Sequence, residues 1–148
     1  YNNVSKNNNW CVYSIIYSRN ISNTINMKTS EVLNIVNKVY PKITENYNSN
    51  AKVELYSDIY TRLNCVSAMG DESVAHAEYN WSENKIYIYT TNMSNEEDII
   101  RSLIHECVHS TQSKELFDKY YENGATYDTH PFEIQAENEE TNWKKYKL

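Results

Sequence analysis

The sequence predicts an α+β domain built around a small β-sheet. Three observations carry this. Apolar residues recur at helical spacing over Val32, Leu33, Val36, Val39 and Tyr40. Val53, Leu55 and Ser57 alternate with Glu54, Tyr56 and Asp58, and a hairpin pattern follows. A capping signal precedes a second apolar stripe at Ile100, Leu103, Ile104, Cys107 and Thr111. The chain's 148 residues are the usual size of one domain, so a single unit over 1–148 is expected.

The elements follow in order. The first ten residues are polar, and 1–28 reads as a loosely ordered N-terminal arm. Cys11–Tyr17 is a short apolar run that fits strand or helix. Thr29 or Ser30 caps the first helix, and Pro41 is expected to stop it. The strand at 53–57 comes next. Val74–Trp81 and Lys85–Thr90 have strand composition, and Ser82-Glu83-Asn84 supplies the turn. Ser94 is the expected cap of the next helix, with Glu97 completing a capping box. That helix runs from about Asn95 to Gln112. A loop follows, then a last helix from Pro131, a favourable first-turn residue, to about Tyr146.

Composition excludes several functions. No apolar run approaches 18 residues, so no membrane-spanning helix and no membrane partner are expected. The net charge of −6 argues against a nucleic-acid partner, which would call for a basic face. Gly70 and Gly124 are the only glycines, which excludes glycine-rich phosphate loops. Cys11, Cys65 and Cys107 close at most one disulfide. Tyr1 opens the chain without a signal-peptide pattern, so it reads as a processed or partial product. An intracellular or virus- or phage-associated setting is the expectation.

One motif carries chemistry. His105-Glu106-Cys107-Val108-His109 places two histidines at i and i+4, one turn apart on one helical face. Both lie roughly 120–180° from the centre of the apolar stripe on a helical wheel, so they are expected to line a groove on the far side. Two imidazoles there can converge on one metal ion. Glu106 can reach a water activated by that ion without ligating it. A catalytic zinc site needs a third protein ligand and an open position. The metzincin pattern would need Gly at 112 and His at 115, where this chain has Gln112 and Glu115. The remaining common solution is a carboxylate on a downstream helix. Glu133 supplies one in the first turn of the last helix. Glu137 is placed to accept a hydrogen bond from the outer nitrogen of a ligand histidine, with Glu140 a weaker candidate. Two imidazoles and a carboxylate favour Zn2+, though such a site takes other transition metals.

His105–His109 followed by Pro131-Phe-Glu-Ile-Gln-Ala-Glu137 resembles the gluzincin group of zinc metallopeptidases, with HExxH and then ExxA on a second helix. The resemblance covers roughly 52–140. It implies a minimal zincin-like domain. There a small mixed sheet with a hairpin edge strand packs on the N-terminal helix and the HExxH helix. It implies His105, His109 and Glu133 as zinc ligands, Glu106 as general base, and Ala136 as the small residue that permits close helix approach. Glu137 stands where larger thermolysin-like enzymes have Asp. The length is closer to compact zincins of phage, ImmA-like and SprT-like type. In zincins a Tyr or His before the ligand Glu often stabilises the oxyanion, which points to Tyr127 or His130. The implied activity is zinc-dependent hydrolysis of a peptide or protein substrate. The strand through Ala75, His76 and Ala77, as the sheet edge, would pair with extended substrate. The alternative is a catalytically silent structural or binding protein, such as a virion component, in which zinc only stabilises the fold.

Overall fold

The structure, a computed structural model, describes residues 26–63 and 75–148. The expected N-terminal arm, the Cys11–Tyr17 run, Cys65 and the start of the predicted hairpin arm lie wholly or largely outside the described residues. Those described form a mixed α+β fold: α1 (Thr29–Tyr47), β1 (Lys52–Tyr56), α2 (Ile59–Leu63), β2 (Ala77–Asn80), β3 (Lys85–Tyr89), α3 (Glu96–His109), α4 (Lys114–Glu122) and α5 (Pro131–Glu140). Single 3-10 turns at Thr90–Asn92 and Tyr127–Thr129 precede α3 and α5, and a longer one, Thr141–Tyr146, follows α5.

The helix α1 runs through Pro41 rather than stopping before it. Pro41 is on the exposed side, as is Asn37, whose carbonyl would have received the missing hydrogen bond. Water can serve that carbonyl. The last turn is instead held by tertiary contacts. Ile43 is fully buried, Asn46 donates to the Tyr146 hydroxyl at 2.9 Å, and the Tyr47 hydroxyl donates to Glu139 at 2.7 Å. Asn48, at φ 51°, closes the helix in the left-handed region, which Asn tolerates.

The sheet order is β1-β3-β2, with β1 parallel and β2 antiparallel to β3. Among the described residues β2 lies at an edge, joined to β3 by the hairpin that the turn residues predicted. Side chains alternate across the sheet. Ile86 and Ile88 join Val32, Val36, Val39, Leu103 and Ile104 in the main core. Tyr87 and Tyr89 face the other way and pack with Ile59 and Ala75.

The cap of α3 lies one residue later than predicted. Asn95 accepts from the Asp98 amide at 2.9 Å, and Asp98 accepts from the Ser94 amide at 3.2 Å. The short side chain of Asn95 thus takes the role expected of Ser94. A larger departure concerns the surroundings of α3. From Asp98 to His109 only Arg101 is not buried. Its second face does not line an open groove, because α5 covers it.

Candidate metal centre

The helices α3 and α5 run antiparallel, so His105 meets Glu140 and His109 meets Glu133. Ala136 is fully buried between those carboxylates in sequence, and its lack of bulk lets the helices approach. Three atoms converge. His105 Nε2 is 3.0 Å from Glu133 Oε2, His109 Nε2 is 3.2 Å from the same oxygen, and the two Nε2 atoms are 2.9 Å apart. Ligand atoms around a tetrahedral zinc at ~2.05 Å are about 3.3 Å apart, so the triangle fits within a few tenths of an ångström.

The outer nitrogens define what those atoms offer. His105 Nδ1 is 2.5 Å from Glu140 Oε1, a carboxylate that accepts. His109 Nδ1 is 2.7 Å from Gln112 Oε1, an amide oxygen that also accepts. Each Nδ1 is thus placed to donate, which leaves each Nε2 pointing inward. Two imidazole nitrogens and a carboxylate oxygen at this spacing could hold a cation, either a proton or a metal ion. Glu133 Oε1 is buried without a hydrogen-bond partner, a second polar atom that a cation would satisfy.

The electrostatics agree. Glu106, Glu133 and Glu140 are all buried, and buried charges are paired or bind metal. Arg101 lies 4.0 Å from the outer oxygen of Glu140 and is also bound to Glu97 at 2.7 Å. Burial would lower the affinity of His105 for a proton, but Glu133 and Glu140 more than offset this and hold its pKa up at about 10. Burial likewise works against the Glu133 charge, yet His105 and His109 hold it at about 2. The proton on His105 is the metal-free counterpart of the cation. Burial pushes the Glu106 carboxyl up to about 7, against the pull of the two histidines.

Other expectations meet different outcomes. Glu137 is half-buried, and the outer nitrogen of His105 belongs to Glu140. The imidazole lies between Glu133 and Glu140, two turns apart, with one nitrogen for each. His130 is engaged at both ring nitrogens. Its Nε2 donates to the Phe117 carbonyl at 2.9 Å, and its Nδ1 accepts from the Phe132 amide at 3.1 Å, capping α5. Phe117 and Tyr121 enclose its ring, each at 4.4 Å. Tyr127 sits in the 3-10 turn before α5 with its hydroxyl shielded from solvent.

Of the predicted edge residues, Ala75 and Ala77 bury their side chains. The His76 carbonyl accepts from the Tyr89 amide at 2.9 Å, and the Ala75 carbonyl accepts from Asn92 at 2.8 Å. The alternation of an antiparallel ladder then turns the main-chain groups of Ala77 and Tyr79, not His76, to the outer edge of β2. Cys107 is a buried free thiol in the main core, as its place on the apolar stripe implied.

Three contributors to the site were not singled out among the sequence candidates. Gln112 orients His109. Trp81 donates to the Gln112 carbonyl at 3.4 Å and packs on His109 with centroids 5.8 Å apart. Phe117, on α4, meets the edge of His109 at 5.4 Å. Only Arg101 and Gln112 had a legible signal, their spacing of four and three residues from the histidines. Comparison with protein families, with curated proteins and with solved structures finds no match to this chain.

Proposed function

We propose that this chain is a zinc-dependent metallopeptidase of minimal zincin type. The carrying observation is the triangle of His105 Nε2, His109 Nε2 and Glu133 Oε2, all within 4.8 Å of one another, with a buried carboxyl at Glu106 beside it. When bound, the ion supplies Lewis acidity, which acidifies water and polarises a carbonyl.

The chain's own residues do the rest. Glu106, held near neutrality by burial, accepts a proton from the attacking water as its oxygen bonds the scissile carbonyl carbon. Glu106 then passes that proton to the amide nitrogen as the C–N bond breaks, which yields a carboxylic acid, still holding the water's second proton, and an amine. Glu140 and Gln112 keep both imidazoles turned toward the centre. The outer groups of Ala77 and Tyr79 offer an edge for an extended peptide. Among the described residues the cluster has three donors, and a purely structural zinc is usually closed by four. Nor would a structural site need an acid at 106. Both points favour catalysis over a silent binding protein. Among the described residues no helix is long and apolar enough to cross a membrane.

The test pairs metal analysis with peptide hydrolysis. Wild type should bind one zinc and cleave an unstructured peptide. Glu106→Gln should keep the zinc and lose activity by about 10²–10⁴-fold. Zinc-loaded Glu106→Gln cleaving at the wild-type rate would refute the general-base role.

A further inference from the structure

The two histidines of the centre are backed by different chemistry. His105 leans on a carboxylate, Glu140, at 2.5 Å. His109 leans on an uncharged amide, Gln112, at 2.7 Å. An amide is an ambiguous partner, since its oxygen accepts and its nitrogen donates. If it turned over, it would offer N–H to His109, draw the ring to the opposite tautomer and leave a proton where a lone pair is needed.

The surroundings of Gln112 decide the orientation. Its Nε2 lies 3.1 Å from the Phe132 carbonyl and 2.9 Å from Gln135 Oε1. A main-chain carbonyl can only accept, so the nitrogen must face Phe132 and the oxygen must face His109. Phe132 and Gln135 flank Glu133 on α5. The Gln112 carbonyl also holds Trp81, which packs on His109. One side chain thus ties the end of α3 to the turn of α5 that carries Glu133.

We infer that Gln112 is a positioning residue: its amide, locked by the Phe132 carbonyl, selects the Nδ1–H tautomer of His109 and so keeps Nε2 free as a metal ligand. This rests on the metal-centre reading for its purpose, but the tautomer is measurable without metal. His109 is then a neutral-backed donor and His105 a carboxylate-backed one, so the two contribute unequally to affinity.

The experiment is long-range 15N–1H NMR of the histidine rings in the full chain, metal-free and at mildly alkaline pH, together with zinc titration against a competing chelator. In wild type, His109 should show a proton on Nδ1 and a bare Nε2. Gln112→Met, of similar shape but without hydrogen bonds, should mix the tautomers and weaken zinc binding about 10–100-fold. Gln112→Glu keeps an acceptor for His109 Nδ1 but sets its second oxygen against the Phe132 carbonyl, so it should bring back the tautomer and only part of the affinity. A Met variant with wild-type tautomer and affinity would overturn the inference. So would a wild-type His109 protonated on Nε2. If Gln112→Met fails to fold, the wild-type spectrum and the Glu variant still decide. A protein with the expected tautomer that binds no zinc would refute the metal reading while leaving the role of Gln112 intact.

Discussion

The helices α1 and α5 cover opposite sides of α3 with opposite chemistry. Helix α1 presents Val32, Val36, Val39 and Ile43, all buried, to Ile100, Leu103, Ile104 and Cys107. That contact is hydrocarbon on hydrocarbon and is stabilised by burial alone. Helix α5 buries Glu133, Ala136 and Glu140 against His105 and His109. A methyl group and two carboxylates make a poor core by themselves. The first interface closes on hydrocarbon, whereas the second packs charged groups that could hold a cation. On the proposed reading, the difference separates a part of the fold that stands alone from a part that a bound metal would complete.

Breaking the α5 side should have the largest effect. Glu133→Ala removes one corner of the donor triangle and should abolish stoichiometric zinc binding. In wild type, free zinc at a thousand times its dissociation constant should raise the unfolding free energy by about 4 kcal/mol, and chelation should remove this. Thermal melts with and without zinc measure both. The pH dependence sharpens the point. The raised His105 pKa contributes stability that is full below the unfolded value of 6.5 and is lost as pH rises through about 10. The raised Glu106 pKa likewise favours the fold below 4.5 and ceases to do so above about 7. The lowered Glu133 pKa contributes above 4.5 and is lost as pH falls through about 2. These three groups together favour the metal-free fold most near pH 4.5, and their contribution should fall from there to pH 10. Zinc must displace the His105 proton, so its stabilising increment should grow over the alkaline part of that range. A zinc increment independent of pH would contradict this exchange.

The α1 side should respond differently. Ile43→Ala leaves a cavity in the apolar interface and should cost about 3 kcal/mol in denaturant unfolding, equally with and without zinc. Glu140→Gln should do the reverse. It keeps the shape but weakens the acceptor behind His105, so zinc affinity should fall about 10–100-fold while metal-free stability moves less. If Ile43→Ala reduced zinc affinity as much as Glu140→Gln, the division between the two interfaces would be wrong.

The same contrast explains what the sequence revealed. Apolar periodicity finds faces that bury hydrocarbon, so α1 was readable from Val32, Val36 and Val39. Its extension past Pro41 was not, because the contacts of Asn46 and Tyr47 come from residues about a hundred positions away. Periodicity is blind to α5, whose buried face is mostly acid. Only the i, i+4 histidines and the chemistry of zinc ligation pointed to Glu133. Choosing Glu140 over Glu137 needed the height of His105 along α5, a tertiary quantity. The stretch Lys114–Glu122 read as a loop because its buried contribution is one residue, Phe117, among charged neighbours. Gln112 carries no chemistry of its own and gains meaning only from the Phe132 carbonyl beside it.

The smallest effect belongs to His130, and it discriminates between the two roles open to that residue. The ring holds the first turn of α5 by accepting from Phe132 and is itself held by Phe117 on α4. Loss of a helix N-cap costs about 1 kcal/mol, so His130→Ala should lower the melting temperature by roughly 3 °C. Asn is a good N-cap, and His130→Asn should recover part of that loss. An oxyanion-stabilising residue behaves otherwise: its removal lowers kcat with stability intact, and Asn gives no recovery in melting temperature. Differential scanning calorimetry beside steady-state kinetics separates the outcomes. If kcat fell about 100-fold at an unchanged melting temperature, the ring would belong to the reaction rather than to the scaffold that presents Glu133.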